Sequence, residues 1–178
     1  KETDQYKPNS PYSASKASSD HLARAWFKTY NLPVIISHCS NNYGPNQNSE
    51  KLIPKIIINS LKQRDIPIYS TGKQVRDWIF VDDHNEALIK LMNFGKIGES
   101  YNIGSSNELT NINLVNYICN RLQKFVPIKN NKIQKYSDLI KHVADRAGHD
   151  QRYAISSRKL KNKLNFKSKI SFNKGIDI

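Results

Sequence analysis

The chain has 178 residues, 38% of them hydrophobic and 24% charged, with a formal net charge of +13. That length suits one domain or parts of two, and the apolar content excludes a disordered chain. The longest apolar runs, at 34–36 and 53–58, fall far short of the roughly 20 residues that a membrane-spanning helix needs, and Cys39 and Cys119 make neither a disulfide framework nor a C-x-x-C pair.

Helical and strand patterns alternate along the chain, which favours an α/β protein. Ser10-Pro11 predicts a helix start, a serine cap followed by proline where a missing N–H costs nothing. The helix should run from about Tyr12 to Tyr30 and stop near Asn31 and Pro33. Residues 34–38 read as a buried parallel strand and residues 39–50 as a polar loop. A helix over about 51–63 carries Leu52, Ile53, Ile56, Ile57 and Leu61 on one side. Residues 66–69 and 76–81 read as strands, with a turn at 70–73. Asp83 and Glu86 resemble a capping box for a helix to about 94, and Gly95 and Gly98 bracket its end. Residues 100–103 follow as a strand. Asn111 is expected to cap a helix bearing Ile112, Val115, Ile118, Cys119 and Leu122. Residues 127–136 read as a loop, 139–143 as a strand and about 156–164 as a short helix.

The charge is uneven, +2 over residues 1–120 and +11 over 121–178. A basic stretch can attract nucleic acid or an anionic metabolite. Lysine, asparagine and isoleucine together make 62 of the 178 residues, and no interleaving of aromatic and basic residues supports nucleic acid. The lysines at 159, 161, 163, 167, 169 and 174 therefore read as a solvated face. His21, His38, His84 and His142 read as structural or surface residues, and no metal is expected. With no charged-then-apolar leader in view, the expected location is a reducing cytoplasm.

Tyr12 and Lys16 are the most informative pair. Four residues apart on one helix, they share a face about 6 Å apart along the axis. A tyrosine acting as base near neutrality must lose about three pH units from ~10, or ~4 kcal/mol. One ammonium ~4 Å away at an effective dielectric of ~20 supplies about that much. The same spacing also arises as a surface pair. What favours chemistry is the position: Tyr12 lies in the first helical turn, and the next strand ends in Cys-Ser-Asn-Asn-Tyr-Gly-Pro, at the carboxyl end where α/β sheets bind ligands.

The stretches PYSASKASSDHLARAW, SHCSNNYGP, EKLIP, PIY, RDWIFVDDH, YNIG and ADRAGHDQRYAI resemble the dTDP-glucose 4,6-dehydratases, extended short-chain dehydrogenase/reductases that act on sugar nucleotides. The likeness runs from about Asn9 to Phe166. It implies the C-terminal part of a NAD-binding, Rossmann-type doubly wound sheet plus a smaller α/β substrate-binding domain. Residues 1–40 and 72–105 would be a remnant of the dinucleotide-binding domain, and 41–71 and 106–178 the substrate domain. Tyr12 would be the active-site base and Lys16 its partner, and Tyr12, Lys16 and Asn42 would hold NAD, whose charged nicotinamide would add to the pull on the phenol. Asn41, Lys51, Leu52, Pro67, Ile68, Tyr69, Arg76, Asn111, Asp145, Arg146, Gly148 and His149 would line the sugar-nucleotide site. Within that set, Lys51 at a helix start and Arg76 suit a diphosphate, Tyr69 offers a stacking face, and Asp145 could accept from the ribose. Arg76 could instead pair with Asp77 or Asp82, and Asn111 could cap a helix. Ala147 stands where members of the family commonly have proline.

The family reaction oxidises carbon 4 of glucose, eliminates water across carbons 5 and 6, and returns the hydride to carbon 6. Elimination needs an acid and a base, which relatives take from a Thr-Asp-Glu motif. That motif and a G-x-x-G-x-x-G loop are not found, and Glu2-Thr3-Asp4 is no substitute. With Lys1 first and Met92 the one methionine, the chain is expected to be a fragment, the C-terminal half of the enzyme, inactive and poorly soluble alone. A homodimer through the first helix, with Leu22, Ala25 and Trp26, is implied for the whole enzyme. An epimerase or decarboxylase of the same superfamily is the alternative, and a basic nucleic-acid-binding module a remote one.

Overall fold

Ser10 and Pro11 begin a helix as the cap chemistry requires. A computed structural model describes residues 1–129 and 132–178, so Asn130 and Asn131, within the expected loop at 127–136, lie outside the described residues. In α1 (Pro11–Tyr30), Ser10 is extended at φ −143° and its Oγ accepts from the Ser13 N–H at 3.1 Å. The helix ends where Asn31 turns left-handed at φ +56° and donates to the Phe27 carbonyl. None of its residues is buried, and Leu22, Trp26 and Tyr30 are exposed.

The chain continues through β1 (Ile36–Cys39), β2 (Asn41–Tyr43), α2 (Leu52–Leu61), β3 (Ile66–Tyr69), β4 (Val75–Phe80), α3 (Val81–Phe94), β5 (Ser100–Ile103), β6 (Glu108–Thr110) and α4 (Asn111–Phe125). A 3-10 turn (Tyr136–Leu139), β7 (Ile140–Val143), β8 (Arg152–Tyr153), α5 (Arg158–Leu164) and α6 (Phe172–Asp177) complete it. β1 pairs β5 in parallel, and β3 pairs β7 in parallel with Tyr69 opposite Val143. β4 is the hub: β2 runs parallel to its second half, while β6 (antiparallel) and β8 (parallel) flank its first residues.

Strand alternation divides β4 between two cores. Trp78 and Phe80 join Tyr43, Ile56, Ile68, Leu114, Ile118 and Phe172 in the larger one. Ile79 joins Ala87, Leu91, Tyr101 and Ile103 in the smaller, together with Leu160 and Phe166.

Several local readings change. Residues 41–43, read as loop, pair with 78–80 as β2, because the parallel ladder comes from β4, far along the chain. Asp83 does not cap α3. It is buried, and its carboxylate accepts the N–H groups of Lys169 and Ile170, both at 3.0 Å, fastening the chain after α5 onto α3. Asn111 is not a cap either; Thr110 caps α4 by accepting from the Asn113 N–H. β6, β8 and α6 are too short to show in the residue pattern. Among the described residues no helix is long and apolar enough to cross a membrane, and no group of three or more His, Cys, Asp or Glu could hold a metal.

Asp77 is fully buried and accepts from the Ser105 N–H (3.2 Å), the Ser105 hydroxyl (3.2 Å) and the Asn107 N–H (2.6 Å). Asp77→Ala leaves the Ser105 and Asn107 N–H groups without their carboxylate acceptor, while the Ser105 hydroxyl keeps the Trp78 carbonyl, and urea unfolding should show a loss of ~3 kcal/mol. A loss below about 1 kcal/mol would contradict this reading of the β5–β6 connection.

Candidate active site

The segment between β7 and β8 is the piece around which the rest gathers. Its far end is anchored on β4, where β8 pairs Val75 with Arg152 and Arg76 with Tyr153, and the Val75 N–H donates to the Gln151 carbonyl at 2.8 Å. Arg76, expected to meet a phosphate or an aspartate, gives two donors to carbonyls instead, Nη1 to Val75 (2.7 Å) and Nη2 to Asp150 (2.8 Å). No salt bridge forms to Asp77, whose carboxylate is spent on residues 105 and 107, or to Asp82. Burial pulls the Arg76 guanidinium below its usual range; Asp150 and Asp145 oppose that and Arg146 adds to it.

At the near end, Asp145 is the junction. Its Oδ1 accepts from the Arg146 N–H (2.9 Å) and meets His149 Nδ1 (2.6 Å), while Oδ2 accepts from Gln74 Nε2 (2.9 Å). These groups, the His149 bond first, hold its carboxyl below the ordinary 3.8. The folded segment lies against Tyr69 at the end of β3: the His149 ring meets it nearly edge-on at 5.8 Å, and the Arg146 guanidinium sits 5.9 Å from its centroid. Gly148 has φ +66°, and a Cβ there would stand 3.0 Å from the Asn9 carbonyl, so glycine lets the segment close onto the start of α1.

Tyr12 and Lys16 share that helix face and are both exposed, Tyr12 by 74%. Tyr12 lies within electrostatic reach of Tyr153, whose phenol is pushed up by burial and then by Cys39, Tyr12 and Asp150. The Tyr153 hydroxyl donates to the Cys39 carbonyl at 3.3 Å, so the end of β1 and the 145–153 segment stand on the same side as Tyr12. Immediately beyond Cys39, Asn41 is half-buried opposite Trp78 in the ladder. Asn42 turns its amide nitrogen to Cys39 Sγ and the Ser40 carbonyl, both at 3.4 Å, and its Oδ1 is buried without a partner.

Asn111 donates its N–H to the Gln74 carbonyl at 3.0 Å, and both side-chain oxygens, Asn111 Oδ1 and Gln74 Oε1, are likewise buried without a partner. These acceptors have no donor among the described residues. Lys51 is exposed at the N-cap of α2, and Leu52 packs on the larger core. Along β3 the pleat turns Pro67 and Tyr69 outward and Ile68 into the core, leaving only the Ile68 backbone to face a ligand. The structure thus gathers Tyr69, Arg76, Asn111, Asp145, Arg146, Gly148 and His149 around one segment, with Tyr12 and Asn42 beyond Tyr153. Lys51 makes no side-chain cap bond and has no contact to that segment among the bonds described. Gln74 and Tyr153 went unassigned in the sequence; Tyr153 stands inside the DRAGHDQRY stretch, but Gln74 carries no motif signal.

The family model for GDP-mannose 4,6 dehydratase matches residues 1–178. A dTDP-glucose 4,6-dehydratase of Escherichia coli is 53% identical over 175 residues, which cover 98% of this chain and 47% of that protein. The crystal structure of dTDP-glucose 4,6-dehydratase from Bacillus anthracis in complex with NAD superposes with TM-score 0.86 at 44% identity, over 99% of this chain and 52% of the other. That of the Streptomyces venezuelae enzyme with NAD and TYD bound gives 0.88 at 39% identity, over 98% and 51%. These matches bear out the mixed α/β fold with parallel strand pairs of the Rossmann-type dehydratases. The chain spans about half the length of the curated relatives it matches. The expectation of the C-terminal half is withdrawn, since the matches give the extent of the overlap, 47–51% in the curated relatives, and not its position.

Because Asp145 is held low, its carboxylate keeps the segment fastened above the unfolded value near 3.8 and releases it as pH falls through the lower folded value. Carbon-detected NMR should place the Asp145 titration below 3.8, and His149→Ala should move it upward. A midpoint unmoved by that substitution would contradict the junction.

Proposed function

The chain belongs to the GDP-mannose 4,6 dehydratase family, and from that premise we propose that it is part of an NAD-dependent dTDP-glucose 4,6-dehydratase, a hydro-lyase of nucleotide-sugar and deoxysugar synthesis. The observation that carries this reading is the segment at 145–150, pinned by Asp145 between the Tyr69 ring and the first turn of the Tyr12 helix. A nucleotide held at Tyr69 would reach, through its diphosphate, a sugar at Tyr12.

Each side chain has a task that its chemistry fits. Tyr69 offers a face for the base, flanked by Arg146 and His149. Arg76 keeps guanidinium donors beyond the two spent on carbonyls, and these and Lys51 would neutralise phosphate oxygens. Asn111, Asp145 and Gly148 would complete the nucleotide end, with Leu52, Pro67 and the Ile68 backbone as wall. Asn41 would meet the sugar. NAD would sit with its nicotinamide end near Asn42, at the end of β1, and a ribose on Tyr12 and Lys16. When bound, NAD supplies the acceptance and return of hydride. Tyr12 would take the proton of the sugar 4-hydroxyl, with the Lys16 ammonium one turn away on the same helix face. The carboxylate pair for elimination would lie outside these 178 residues.

We assign residues 1–40 and 72–105 to the cofactor domain and 41–71 and 106–178 to the substrate domain. The exposed Leu22 and Trp26 of α1 suit a homodimer contact in the complete enzyme. The cytoplasm suits its substrate, and neither nucleic acid nor membrane is assigned as a partner.

In the full-length protein, Tyr12→Phe should lower kcat for dTDP-glucose about 10³-fold while leaving dTDP affinity within twofold, since the phenol serves proton transfer and not nucleotide binding. Activity within tenfold of wild type would refute the role of Tyr12. The 178 residues alone should form no 4-keto sugar, and measurable turnover by them would refute the need for the remaining chain.

A further inference from the structure

We infer that Gln74 is the positioning residue of the nucleotide end: its side-chain amide fixes Asp145, and through Asp145 the whole 145–150 segment, against Tyr69. The inference rests on the proposed sugar-nucleotide reading and adds a residue to it.

Gln74 precedes β4 and is 2% exposed, burial that costs free energy for a primary amide unless it is hydrogen-bonded. Its Nε2 makes one side-chain bond, to Asp145 Oδ2 at 2.9 Å. The division of labour on the carboxylate is informative. Oδ1 serves the segment's own closure, with the Arg146 N–H and His149, whereas Oδ2 is tied across the fold to Gln74. Oδ1 therefore shapes the turn, and the Gln74 bond decides where the turn sits. A bond from a buried amide to a carboxylate is charge-assisted and stronger than a neutral one. The main chain of Gln74 is held as well, its carbonyl accepting from Asn111, so the amide starts from a fixed base. Oε1 is buried and has no hydrogen-bond partner among the described residues, so the amide is committed to Asp145 through Nε2 alone.

The test uses the full-length enzyme with NAD, dTDP as the binding probe and dTDP-glucose as substrate. Gln74→Leu should raise the dTDP Kd and the dTDP-glucose KM together by about tenfold, with kcat within twofold, because the reacting end is untouched. Gln74→Glu sets a second carboxylate against Asp145 Oδ2 and should bind at least as poorly. Adding Asp145→Asn to it reverses donor and acceptor across the same contact while leaving an oxygen for Arg146 and His149, and should recover affinity at least threefold over Gln74→Glu. A merely structural glutamine predicts no such recovery. Unchanged affinity in Gln74→Leu, a fall in kcat with KM unmoved, or a double variant no better than Gln74→Glu would each overturn the inference. If Gln74→Leu fails to fold, the comparison of the last two variants decides. A wild-type protein that neither binds dTDP nor converts dTDP-glucose would refute the sugar-nucleotide reading itself, whereas an active wild type with indifferent variants strikes Gln74 alone.

Discussion

A single carboxylate governs the arrangement of this molecule's site. Asp145 stands between a segment with few apolar contacts and a strand buried on both faces, and each of its oxygens is committed to a different side. Residues 141–148 are all exposed, so hydrophobic burial does little to place them. Directional bonds do it instead: Asp145 at one end, and the Arg76 guanidinium and the β8 pairing at the other. A segment held this way has a defined position without being part of a core, which suits a wall that must meet a polar ligand and release it.

The basic excess of the later residues takes on a different meaning once the contacts are seen. Lys159 donates to the Ser100 carbonyl at 2.7 Å, pairs with Glu99 at 3.0 Å and lies 4.4 Å from the Tyr101 ring centroid. Lys169 pairs with Glu86 at 2.6 Å. Two of the lysines read as a solvated face thus fasten α5 and the chain after it to β5 and α3. Lys169 does so beside Asp83, which holds the backbone of residues 169 and 170. Part of the positive charge is thus paired with carboxylates of the fold itself.

Legibility in the sequence followed the kind of signal each element carries. α1 was readable because a serine-proline start and an asparagine stop are local chemistry, and β3, β5 and α4 because their apolar residues recur at the right period. β2 was not, since Asn41 and Asn42 look like loop residues and the ladder that straightens them comes from Trp78 and Ile79, far along the chain. Asp83 was misread for a related reason: a carboxylate in the first turn of a helix is an ordinary cap, and only tertiary structure shows that its partners are 86 and 87 residues away. In the candidate site, the motifs of the sequence name Tyr69, Arg76, Asp145 and His149 as candidates. What they bond to is not in the motifs, and Arg76, expected on a phosphate or an aspartate, turned out to brace a carbonyl. Gln74 carries no local signal, since a lone glutamine before a strand is distinguished only by its partner across the fold, Asp145.

Hydrogen exchange of the full-length protein with and without dTDP tests the central claim most directly, that one segment and one aromatic ring form the nucleotide wall. The account predicts saturable protection concentrated in residues 67–76 and 145–151, with the basic stretch at 158–174 unchanged. Protection confined to 158–174, or none at 145–151 under saturating dTDP, would contradict it.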